Sequence, residues 1–121
     1  MERVPISKIG TTLFVSIQID LQDESVMRLQ EDLADELVAT RARGVIIDIT
    51  AMEVVDSFTG RMLAMIGSIS RLFDAETVLV GMRPAVAITL TELGLSLRGL
   101  RTALNAEKGL ALLNSTVNGT G

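Results

Sequence analysis

The sequence has no cysteine, histidine, tryptophan or tyrosine, and only two prolines in 121 residues. Without cysteine there are no disulfides, thiol nucleophiles or thiolate metal sites, which suits a reducing compartment. Without histidine the chain loses the commonest general base, the commonest metal ligand and the one side chain that ordinarily titrates near neutrality. No catalytic site, metal or cofactor is therefore expected. Three phenylalanines are the only aromatic residues, leaving little on which nucleic-acid bases could stack. A formal net charge of −4 gives no broad basic footprint for nucleic acid or anionic lipid. No apolar run approaches the ~18 residues that suggest a membrane span. The opening Met-Glu-Arg-Val-Pro is not followed by the apolar block of a secretory signal. A cytoplasmic protein is expected, and the Asn-x-Thr triplets at Asn114 and Asn118 are chance matches to the glycosylation pattern.

What remains is ample core material. Hydrophobic residues make up 48% of the chain and charged residues 21%, a globular composition. Leu, Ile, Val, Met and Ala must build the interior, which suits an α/β sandwich with buried aliphatic strands. The length fits one domain, with neither internal repeat nor linker.

Ile6–Ile9 and Thr12–Ile19 read as two strands around a turn at Gly10-Thr11, the second alternating Leu13, Val15 and Ile17. Asp23 or Ser25 opens a helix to about Arg43 with Val26, Leu29, Leu33 and Leu37 on one stripe. Gly44 is the expected stop. Val45–Ile49 reads as a buried central strand, broken only by Asp48. Asp56-Ser57 opens a second helix through Leu72, with Phe58, Met62, Ile66, Ile69 and Phe73 on its buried face. Thr77–Val80 is another buried strand, and Pro84 suits the first turn of a helix over Ala85–Leu93, stopped by Gly94. A weak strand over Leu97–Thr102 precedes a last helix from Asn105 to about Leu113. The domain is expected to span 1–113, with a flexible tail over 114–121. The order β-β-α-β-α-β-α-β-α implies a mixed sheet with an opening hairpin followed by crossover helices.

Chemistry points to Val54-Val55-Asp56-Ser57-Phe58-Thr59-Gly60, which joins a buried strand to a helix. A hydroxyl at a helix start meets unpaired backbone N–H groups and the positive end of the dipole. A phosphate on Ser57 could be received there at little structural cost, although the neighbouring Asp56 anion opposes it. Asp and Ser are also ordinary helix caps, and the two readings are compatible. Thr59, placed one position inside the cap, and Thr91 read as surface hydroxyls. Met52, Met62, Met65 and Met82 read as core filler.

Other constellations fail on residue type. A phosphoaspartate receiver could use Asp48, but the first strand offers no companion carboxylates for Mg²⁺ and no late lysine fits. A serine hydrolase would need a Gly-x-Ser-x-Gly elbow and a base, and has neither. Lys8 and Lys108 are the only lysines, without motif support. Gly81-Met82-Arg83-Pro84 begins a helix that could take an anion, so a nucleotide or small-ligand module stays open.

Three segments together resemble the STAS family (sulphate transporter and anti-sigma factor antagonist domains). They are Gly44-Val45-Ile46-Ile47-Asp48-Ile49, Val55-Asp56-Ser57-Phe58-Thr59-Gly60-Arg61 and Val78-Leu79-Val80-Gly81-Met82-Arg83-Pro84-Ala85-Val86. The resemblance covers all but the tail and implies a single α/β domain without enzymatic activity. Sigma-antagonist members usually read Asp-Ser-Ser-Gly, whereas Phe58-Thr59-Gly60 here replaces the second Ser and shifts the Gly. That departure favours the stressosome branch, with an anti-sigma factor antagonist that binds an anti-sigma kinase as the alternative. The resemblance implies that Ser57 is the phosphoacceptor, flanked by partner contacts at Asp56, Phe58, Thr59, Gly60 and Arg61. It implies a serine kinase of the RsbT type as partner, held until Ser57 is phosphorylated. It also implies sensor paralogues of the RsbR type, association with copies of itself and a large hetero-assembly. The sensors carry an extra N-terminal domain for which this sequence has no room, so the short scaffold form is expected.

Overall fold

The computed structural model describes residues 4–17, 23–94 and 100–118. A hairpin of β1 (Ile6–Ile9) and β2 (Thr12–Ser16) leads to α1 (Asp23–Thr40), β3 (Gly44–Asp48), α2 (Ser57–Leu72) and β4 (Glu76–Val80). Then come α3 (Pro84–Glu92), β5 (Leu100–Ala103) and α4 (Ala106–Asn118). The five strands lie in the order β1-β2-β3-β4-β5. β1 runs antiparallel to β2, and every later neighbour is parallel. This is the mixed sheet with an opening hairpin that the sequence predicts.

Alternation along the strands divides the interior. On one face Leu13, Val15, Val45, Ile47 and Leu79 pack beneath Val26, Leu29, Leu33 and Leu37 of α1 and Met62, Leu63 and Ile66 of α2. On the other, Ile46, Val78 and Val80 meet Leu113 of α4. β3 is covered on both sides, which is why it reads as an unbroken apolar run. A small third cluster joins Val55 to Val86 and Leu90 of α3. Among the described residues no helix is long and apolar enough to cross a membrane.

Five expectations are corrected. α1 ends at Thr40, and Arg41 takes the left-handed conformation (φ 53°) expected of Gly44. Gly44 instead opens β3, where an added Cβ would lie 2.7 Å from Leu113 Cδ1, so its missing side chain lets α4 approach the sheet. Phe73 is 41% exposed, while Leu63 is fully buried in the α2 face. Met65, read as filler, is 51% exposed, whereas Met62 is in the core. α4 continues to Asn118, so residues 114–118 of the expected tail are helical. β2 ends at Ser16, and positions 18–19 of the longer strand expected there lie outside the described residues, as do 97–99 of the weak strand.

Candidate functional site at the start of α2

The chain leaves the sheet at the C-terminal end of β3. Ile49 is buried and its N–H donates to the Val80 carbonyl at 3.0 Å. Asp48 accepts at Oδ1 from the Thr50 N–H (2.9 Å) and hydroxyl (2.6 Å). It is a polar anchor that turns the chain, as expected of an acid closing a buried strand. The Thr50 carbonyl in turn accepts from Arg83 Nε at 2.9 Å. Gly81 stands opposite with φ 75°, and a Cβ there would run into the Thr50 side chain. The segment then passes exposed Val54 (77%) and buried Val55 (4%) before the helix.

Asp56, not Ser57, is the cap. Its backbone is extended (φ −111°, ψ 179°), and its Oδ1 accepts from the Thr59 N–H at 2.8 Å. Its carbonyl accepts from the Gly60 N–H at 3.0 Å. The first bond satisfies one of the donors that every helix start leaves unpaired, and the second is the first bond of the helix itself. The Thr59 amide, then the Thr59 side chain, and more weakly the Arg61 charge hold the Asp56 carboxyl below its ordinary range. Ser57 is the first helical residue and is partly exposed. Its hydroxyl belongs to a turn whose dipole favours negative charge.

The structure gathers the expected site residues on one turn but does not make them equal. Asp56 and Arg61 are exposed, Phe58 and Thr59 are half-buried, and Gly60 is buried. Phe58 packs against the main core. Thr59 lies three positions inside the cap rather than one, and its amide is what Asp56 binds. Sequence reading missed Arg83 as a tie to Thr50, and Val86 and Leu90 as the seat of Val55. Gly81-Met82-Arg83-Pro84 was legible as a helix start, but nothing local says which loop it touches. Among the described residues no group of three acidic side chains could hold a metal ion.

The model of the STAS domain matches residues 3–107. The chain belongs to that family. Within it, the chain resembles RsbS from Moorella thermoacetica carrying a serine-to-glutamate substitution, at 43% identity and a TM-score of 0.84. That likeness covers 95% of this chain and 97% of the other. It is equally similar to a chain in the molecular architecture of the stressosome, a signal integration and transduction hub. There the identity is 45% and the TM-score 0.83, over 93% of this chain and 98% of that one. RsbT co-antagonist protein RsbRA of Bacillus subtilis (strain 168) is 32% identical over 90 residues, or 74% of this chain and 33% of that protein. The chain thus spans about a third of the length of the curated relatives it matches, at 33% and 29% of the two.

Proposed function

We propose that this chain is a scaffold of a stressosome, without catalytic activity of its own, switched by phosphorylation of Ser57. It holds a serine kinase of the RsbT type and releases it when Ser57 is modified, in the cytoplasm of a bacterial cell. Its assembly partners are sensor paralogues of the RsbR type and further copies of itself. The observation that carries this reading is the partly exposed Ser57 at the first position of α2. The likeness to RsbS and to the stressosome chain over nearly the whole of both partners supports it, as does that to a protein named a co-antagonist of RsbT.

The physics of the switch is local. Phosphorylation adds a charge of about −1.5 to −2 at a helix start that tolerates anions. The fold is thereby spared, while the docking surface is rewritten. A partner seated on Asp56, Phe58, Thr59, Gly60 and Arg61 covers a neutral hydroxyl before modification and must desolvate a dianion after it, which is costly without an opposing cation.

Incubation with the cognate kinase and ATP, followed by peptide mass mapping, tests the site. Phosphate on Ser57 is expected, and phosphate on another hydroxyl or on none defeats the reading. A pull-down from the native cell separates the roles. Recovery of a kinase and a sensor paralogue marks the scaffold, whereas an anti-sigma factor alone marks an antagonist.

A further inference from the structure

The segment that presents Ser57 is anchored at its start by Asp48 of β3, and it is tied at both ends to one further neighbour, α3 with the turn that precedes it. At its start, the Thr50 carbonyl accepts from Arg83 Nε at 2.9 Å, a bond between positions 33 apart in the chain. Beside it, Gly81 presses so closely on Thr50 that a methyl group would collide with the threonine side chain. At its end, Val55, directly before the Asp56 cap, is buried against Val86 (1% exposed) and Leu90 (4%) of α3. These three form a cluster of their own, and Met52 and Met82 are the half-buried residues it shares with the principal core. Methionine is the most adaptable apolar side chain, so this bridge constrains weakly.

α3 itself is poorly secured. It has nine residues, no side chain that caps the free N–H groups of its first turn, and buries only Val86 and Leu90. Ile88 is 58% exposed and Leu93, just past its end, 42%. A helix so short does not persist in water alone, so its order depends on the contacts that also hold Val55. Conversely, Val55 is buried in the cluster that Val86 and Leu90 form, with Met52 and Met82 packed against it.

From this reciprocal dependence we infer that α3 is a positioning element for Ser57, with Arg83, Val86 and Leu90 as the positioning residues. Residues 50–56 and α3 open together as one unit, at a lower cost than the sheet beneath them. In-line phosphoryl transfer requires the serine oxygen to enter the kinase's site. A hydroxyl on a helical first turn reaches it more readily when the preceding segment swings free. The degree to which α3 is docked therefore sets how often Ser57 is presented. This inference rests on the scaffold reading for its consequence, but its structural content stands on the chain alone.

Native-state hydrogen exchange on the unmodified chain tests it, because exchange reports local opening in cooperative units. Val86→Ala leaves a cavity in the small cluster. Amides of 50–56 and of 85–92 are then expected to exchange faster by a common factor on the order of tenfold, while β3 and β4 keep their protection. Arg83→Ala, which removes the tie at the other end, raises the same two segments together. Ile88→Ala, on the exposed side of α3, leaves both unchanged. With the cognate kinase present, Val86→Ala accelerates Ser57 phosphorylation by a similar factor. The inference is overturned if α3 loosens while 50–56 stays protected, if neither responds, or if the sheet opens with them. Failure of the wild-type chain to accept phosphate at Ser57 would remove the scaffold reading but leave the exchange result standing.

Discussion

Thr77 occupies the most exacting position in the sheet for a polar side chain. Register sets it in a row running Leu13, Val45, Thr77, Leu100 across four strands, with Leu13 and Val45 fully buried. Thr77 is itself only 1% exposed, and its hydroxyl has no hydrogen-bond partner among the described residues. Valine has the same shape with a methyl in place of that hydroxyl and suits a strand equally well. Burying an unsatisfied hydroxyl costs about 1–3 kcal/mol, so Thr77→Val is expected to stabilise the fold by about 1–2 kcal/mol. For a chain of this size that raises the melting temperature by roughly 3–8 °C. In urea the midpoint should rise by roughly 0.5–1 M with an unchanged slope. Thr77→Ser provides the opposite sign, since it keeps the hydroxyl and deletes a methyl, losing about 1 kcal/mol. A lower midpoint for Thr77→Val would refute the reasoning, because it would mean that the hydroxyl does form a stabilising bond in the folded protein.

Two further outcomes follow from the site itself. Gly81→Ala combines a left-handed backbone with contacts of 3.0 Å to Thr50 Cβ and 3.2 Å to Asp48 Oδ1. It should cost at least about 2 kcal/mol, read as a lowered urea midpoint, and an unaffected midpoint would contradict the packing described. The Asp56 carboxyl titrates below its ordinary value of 3.8 in the folded chain. Its capping contribution is therefore complete above that value and is lost as pH falls through the lower folded one. Asp56→Asn keeps an acceptor at the cap without titrating. The stability difference between the two is thus expected to be constant near neutrality and to shift against the wild type below about pH 4. A difference independent of pH across that range would exclude the Asp56–Thr59 bond as its source.

Much of this was legible in the sequence because local signals and tertiary needs agreed. The stripe Val26, Leu29, Leu33, Leu37 is the buried face of α1, and Asp56-Ser57 does begin α2. Legibility failed where a distant contact overrode a local rule. Gly44 reads as a helix stop, yet Leu113 needs the space above it, and Arg41 takes the strained conformation instead. Asn114, Ser115 and Thr116 have the composition of a frayed tail, yet they extend α4, whose buried Leu113 commits the preceding turn to the sheet. At the site, the turn that carries Ser57 was visible. Its support by Arg83, Val86 and Leu90 was not, because the pairing spans some thirty residues without periodicity to announce it.

The central claim is that charge gained at Ser57 undoes a docked complex while leaving the fold intact. The direct measurement is the affinity of the cognate kinase for three forms of this chain: unmodified, phosphorylated at Ser57, and Ser57→Ala. Tight binding to the first and last, with marked weakening on phosphorylation and an unchanged melting profile, is the expected result. Ser57→Asp should weaken binding only partly, since a carboxylate carries about half the charge of a phosphate. Equal affinity for the unmodified and phosphorylated forms would contradict the account.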